Sequence, residues 1–162
     1  MIDLKKNSSI CSLLMMIGGL MGVLSLFLVW LDVNGSTLTG WSILFGNYNT
    51  FLSLVGYSNF YMLYVPYIAF TFSFYGFVSG LMLLRRSRSN GGTGSAIAGI
   101  VVLVTAVLFS TYSRTVTSTF TMSIADYLST GFYLAVAAGI LMFVFGVLRE
   151  VFHRAEKKAN KR

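Results

Sequence analysis

Three side chains stand where they could do chemistry. Asp32 and Asp126 are the acids of the two longer polar stretches between apolar runs, and Arg114 is the one basic residue beside them. Two carboxylates within reach of one substrate could serve as general acid and base. Asp126, however, immediately precedes the last apolar run. That is an N-cap position, where a carboxylate accepts from free helix N–H groups, and a cap is the expected role. Cys11 and His153 are the single cysteine and histidine. One cysteine excludes an internal disulfide and a Cys-rich metal site, and one histidine excludes bis-His haem ligation. Cys11 is expected to be a small apolar residue. GNYNT (46–50) and NGGTG (90–94) lack the lysine and hydroxyl spacing of a phosphate loop and read as turns. No catalytic set, metal site or cofactor is therefore expected, and the chain is not read as an enzyme.

The elements around these residues are built for a membrane. Of 162 residues, 56% are hydrophobic and 10% charged, with a mean hydropathy of +0.75. A soluble domain carries about 25% charged residues. Four apolar runs, about 10–30, 62–84, 95–112 and 127–148, reach the length that crosses a hydrocarbon core. Each must be a helix there, because an open strand would leave backbone groups unpaired. The first run is longer than a signal-peptide core and is read as a retained span. The expectation is an all-α membrane protein: one domain, 1–162, forming a four-transmembrane-helix bundle with a small extracellular β-hairpin or sheet cap.

The twelve lysines and arginines set its direction. All except Arg114 fall on one side: Lys5 and Lys6, then Arg85, Arg86 and Arg88, then Arg149, Arg154, Lys157, Lys158, Lys161 and Arg162. Basic residues are retained in the cytoplasm during insertion. Both termini are thus expected inside a cell membrane, with loops 31–61 and 113–126 outside and the tail 149–162 cytoplasmic. The charge of +7 marks topology and not nucleic-acid binding, since no basic face exists apart from the membrane flanks.

In lipid, helices associate through close packing of small residues. The candidates are Gly18 and Gly22, Gly76 and Gly80, and Gly131, Ala135 and Gly139, each set four residues apart. They serve a bundle within one chain, or a seam between copies or with other membrane subunits. The second span is rich in aromatics, from Tyr64 to Phe77. These suit packing and lipid contact, because nothing polar converges there to make a quinone or lipid pocket. No Asp, Glu, Lys, Arg or His lies inside any of the four runs, which counts against proton-coupled transport.

The stretch VWLDVNGSTLTGW, 29–41, carries the strongest local signal. Asn34-Gly35 flanked by β-leaning residues predicts a hairpin, with strands near 30–33 and 36–40. Asn34-Gly35-Ser36 is also a glycosylation sequon. Residues 115–121 alternate as a strand would and are expected to join the same sheet, and a short interfacial helix is expected near 51–55. Trp30 and Trp41, the only tryptophans, are expected to pin the hairpin to the bilayer surface.

This arrangement resembles the claudin-type four-helix membrane proteins. Trp30 and Gly40-Trp41 match the tryptophans and glycine of their first outer loop. The leucine between glycine and tryptophan and the two loop cysteines are missing, and the interval from Trp30 is short. The resemblance implies inside termini, a large first outer loop, a smaller second one and a loop-borne sheet. The expected function is a non-enzymatic structural or interaction protein, acting through its cap (Trp30, Asp32, Asn34, Gly35, Gly40 and Trp41) or as a small subunit of a membrane complex. The alternative is a small oligomeric transporter or channel, with Ser25, Thr71, Ser73, Ser79 and Thr105 along a polar path. The last helix is expected to run on past Leu148 to at least Arg154, with Glu150 and Arg154 paired across one turn. Its basic end suits an anionic inner leaflet.

Overall fold

A computed structural model describes residues 4–33, 35–85, 92–117 and 120–159. It is a four-helix membrane bundle with a hairpin cap. Helices α1 (Leu4–Ser25), α4 (Val65–Arg85), α5 (Thr93–Ser110) and α6 (Thr130–Ala159) are long and apolar enough to cross a membrane. α1 packs between α4 and α6, and α5 closes the ring on the other side. The start of α1 and the end of α6 lie at one end of the bundle, and the cap lies at the other.

Close packing follows the small residues. A Cβ built on Gly18 would lie 2.9 Å from Leu141 Cβ on α6, and one on Gly80 2.7 Å from the Met16 backbone nitrogen on α1. Gly22 faces Ser73 and Ala138, Gly76 faces Met142, and Gly139 faces Leu103 and Val102. Gly131 meets Trp30, and Ala135 has no exposed surface. Backbones approach this closely only where side chains are missing, which is how apolar helices gain dispersion contact in lipid. These stripes are therefore spent within one chain. Met15, Val102, Ala135, Ala138 and Met142, all fully buried, fill the space between the helices. Pro66 sits in the first turn of α4, where a missing N–H leaves no helical bond unmade.

The cap is made of two hairpins and two short helices. β1 (Val29–Val33) pairs antiparallel with β2 (Ser36–Thr39), and β3 (Ser113–Thr117) with β4 (Phe120–Ser123). The expected single sheet across both loops is not what forms: these are separate two-stranded sheets. Strand β1 instead reaches the start of the last helix. Leu31 bridges Leu128, and Ser129 N–H donates to the Trp30 carbonyl at 2.9 Å. Between the first hairpin and α4 lie α2 (Gly40–Phe45), α3 (Tyr48–Val55) and a 3-10 turn over Tyr57–Tyr64.

Two boundaries differ from expectation: α1 ends at Ser25, short of Trp30, and the last helix starts later than Tyr127. Asp126 is exposed within a 3-10 turn, Ile124–Tyr127, and does not cap α6. The helix begins at Thr130, and the Ser129 carbonyl takes its first N–H bonds. α6 also runs unbroken past Leu148, as its lack of breakers implies, and Glu150 Oε1 accepts from Arg154 Nε at 2.8 Å.

Candidate interaction site: the hairpin cap

Each hairpin residue has a local reason for its place. The turn needs positive φ, and Gly35 supplies it at +85° with open space around it. Asp32 Oδ1 accepts from Gly35 N–H at 3.2 Å, so this exposed carboxylate holds the turn. Asn34 lies outside the described residues. Thr39 ends β2 and caps α2: its hydroxyl accepts from Ser42 N–H at 3.0 Å, while Ser42 Oγ accepts from Thr39 N–H at 2.9 Å. That reciprocal box starts a helix straight out of a strand.

The two tryptophans take opposite roles, which corrects the expectation that both are surface anchors. Trp30 is 1% exposed. Its Nε1 donates to the Ser25 carbonyl at 2.8 Å, alongside Leu28 N–H, which donates to the same carbonyl at 3.2 Å. Its ring meets Phe109 and Phe132 edge-on, with centroids 5.7 and 6.0 Å apart. Two glycines flank it: a Cβ on Gly40 would lie 2.9 Å from its Nε1, and one on Gly131 2.6 Å from its Cδ1. Gly40 and Trp30 are thus one packing unit. Trp41 is 48% exposed, stacks on Phe27 and meets Phe45 at a tilt, both of them exposed aromatics. An amphipathic cluster at the end of a span suits the membrane–water boundary.

Around Trp30 lies a core that belongs to cap and bundle together. Leu31, Leu38, Ile43, Phe51, Val55 and Ile124 are buried with Phe109 and Phe132. A second tie, not evident from the sequence, joins the end of α3 to the turn that follows α5. Tyr112 donates its hydroxyl to the Val55 carbonyl and accepts from Asn59 Nδ2 at 2.6 Å. Asn59 Nδ2 also reaches the Val55 carbonyl, at 2.9 Å. Burial pushes the Tyr112 phenol above its ordinary value, against the opposing pull of Arg114. Arg114 crosses the end of α3, its Nη1 3.5 Å from the Ser53 carbonyl, where a cation suits the helix C-terminus. The one available signal was an asparagine and a tyrosine among apolar neighbours at two segment ends.

Asp32, Asp126 and Arg114 are all exposed, and no hydrogen bond or ion pair joins any two of them. Three of the five polar-path residues turn back onto their own helices. Ser25, Thr71 and Thr105 each bond a carbonyl of their own helix. At the opposite end of the bundle, Arg85 closes α4, and Lys157 and Lys158 are exposed on α6. Arg86, Arg88 and Lys161 lie outside the described residues. Arg149 departs from its reading as a topology charge alone: it is 1% exposed, and its Nε donates to Ser12 Oγ at 3.2 Å. Ser12 Oγ in turn donates to the Ser8 carbonyl at 3.1 Å, so the buried cation sits in a polar relay between α1 and α6.

Compared with family models, with curated proteins and with solved structures, the chain matches none of them.

Proposed function

We propose that this chain is a non-enzymatic membrane interaction protein, claudin-like in architecture, that presents its hairpin cap to a partner as a preformed surface. Four membrane-length helices and small antiparallel hairpins are consistent with that architecture. The carrying observation is the core around Trp30. It fastens both polar loops to the helices, so their outward faces are set before any partner arrives, and a preformed surface loses little entropy on binding. In this reading the termini and residues 85–94 are cytoplasmic, the cap faces outward from the cell membrane, and no cofactor takes part. That no hydrogen bond or ion pair joins Asp32, Asp126 and Arg114 supports a binding role over a catalytic one.

The partner is a second copy or another membrane subunit, met through the exposed strand faces near Asp32, Thr37 and Thr115. Photocrosslinkers at Thr37 and Thr115, with the protein in native membranes, should give one discrete adduct. A crosslinker on lipid-facing Ile100 should give none. A strictly monomeric protein with no cap adduct overturns the proposal. The filled centre of the bundle argues against a pore through one chain. Liposome flux that scales with oligomer formation would favour the channel alternative.

A further inference from the structure

At the end of the bundle away from the cap, two helical stripes face each other across open space. On α6, Glu150, His153, Arg154 and Lys157 recur at the spacing that places residues on one face. On α4, Tyr75, Val78, Ser79 and Met82 follow the same spacing. The stripes form the walls of a groove of about 730 Å³, with Thr93 and Gly94 of α5 at its base. One wall is apolar and one is charged. Glu150 is already engaged: Oε1 accepts from Arg154 Nε at 2.8 Å, and Oε2 accepts from Thr93 Oγ1 at 3.1 Å. It holds Arg154 in place by one edge of the guanidinium. Arg154 remains exposed, as does Lys157.

The groove has a continuation. Tyr75 and Gly94, its walls at the base, also line a second slot of about 340 Å³ between α4 and α5. Thr71, Phe72, Ile97 and Ala98 complete that slot, which is nearly all apolar and runs along the span. A cationic mouth at the membrane boundary thus lies beside an apolar slot between two transmembrane helices, with the Tyr75 hydroxyl against Gly94 at their shared edge. The aromatic second span acquires a polar partner after all, supplied from α6.

We propose that this groove seats one anionic phospholipid. Its headgroup phosphate would face Arg154 and Lys157, and an acyl chain would lie over Tyr75 and Phe72 into the α4–α5 slot. The shape argues for a lipid over a soluble phosphate, because most of the lining is apolar. The charge argues for an anionic headgroup over a zwitterionic one, since an attached cation would meet two fixed cations. The proposal holds whichever side of the membrane this end faces, so it is independent of the orientation and of the role of the cap.

The test is native mass spectrometry of the delipidated full chain in detergent. It would be titrated separately with phosphatidylglycerol, phosphatidylcholine and glycerol phosphate. One phosphatidylglycerol should bind well ahead of phosphatidylcholine, and glycerol phosphate should not bind in the same range. Arg154→Gln with Lys157→Gln should weaken the phosphatidylglycerol complex roughly 30-fold. Lys158→Gln removes a neighbouring charge outside the groove and should leave binding unchanged. Met82→Trp, which fills the apolar wall and leaves the charges in place, should also weaken it. Circular dichroism checks that each variant is folded. Equal binding of the two lipids, or equal losses from Lys158→Gln and Lys157→Gln, would overturn the seat in favour of diffuse attraction. Glycerol phosphate binding as tightly as the lipid would overturn the lipid assignment.

Discussion

Trp30 Cδ1 rests against Gly131 so closely that a Cβ on that glycine would sit 2.6 Å away, with the Ser25 and Val29 carbonyls at 2.9 Å. Two effects oppose each other in Gly131→Ala. Alanine favours the helix by about 1 kcal/mol. Overpacking a filled site costs about 1–3 kcal/mol, and here two of the three neighbours are backbone atoms that cannot swing away. The variant should be less stable in detergent thermal unfolding. Gly46→Ala, with nothing nearer than 3.5 Å, should be close to neutral.

The tryptophans should respond in opposite ways. Trp30→Ala removes a fully buried indole and one of the two donors to the Ser25 carbonyl, so a loss of about 3–5 kcal/mol is expected. Trp41→Ala, at an exposed aromatic cluster, should cost under about 1 kcal/mol. Comparable losses in unfolding experiments would contradict the separation of core and anchor.

Gly35 has no neighbour within 4 Å, so substitutions there report conformation alone. Gly35→Val should cost about 1–2 kcal/mol, because a β-branched residue resists φ of +85°. Gly35→Asn should be tolerated better. Equal effects of the two would show that φ is not what the turn demands.

Tyr112 ties the end of α3 to the turn that follows α5, and Tyr112→Phe should loosen that tie by about 1–2 kcal/mol. The folded chain also binds the phenol proton more tightly than the unfolded chain, because its pKa is raised. The stability it contributes is therefore intact below about pH 10 and lost as pH rises through the raised value. Alkaline unfolding of the wild type should be steeper than that of Tyr112→Phe.

Orientation can be read with single cysteines in a Cys11→Ala background. A cysteine at Ser36 should react with an impermeant reagent from outside intact cells, and one at Ser89 only after permeabilisation. Labelling at Ser89 from outside would reverse the assignment of both loops.

Much of the architecture was legible because its signals are local. Span length, the Asn34-Gly35 turn, the four-residue spacing of small residues and the unbroken run beyond Leu148 are each contained within one segment. The structure places α3 over the region expected to hold a short helix. What could not be read depends on residues far apart in the chain. Trp30 looks like an anchor from its position at a span end, and becomes core only because Phe109, Gly131 and Phe132 meet it. Arg149 looks like one more flanking charge until α1 brings Ser12 beside it. Asp126 reads as a cap when helix start is judged from hydropathy, but a 3-10 turn intervenes before α6. The β-patterned second loop pairs with itself, because β1 is occupied on one side by β2 and on the other by Leu128 and Ser129.

The Trp30 pocket also sets an order of assembly. Its walls come from Ser25, Gly40, Phe109, Gly131 and Phe132, so they span most of the chain. A chain emerging from its N-terminus inserts α1 and β1 long before Gly131 and Phe132 exist. Until the last span is in place, the indole has half a pocket and the first hairpin has no clasp. Folding should therefore be gated at its final step. Chains stopped before Thr130 should leave Trp30 open to an aqueous fluorescence quencher in a Trp41→Phe background, and completing α6 should shield it in a single transition.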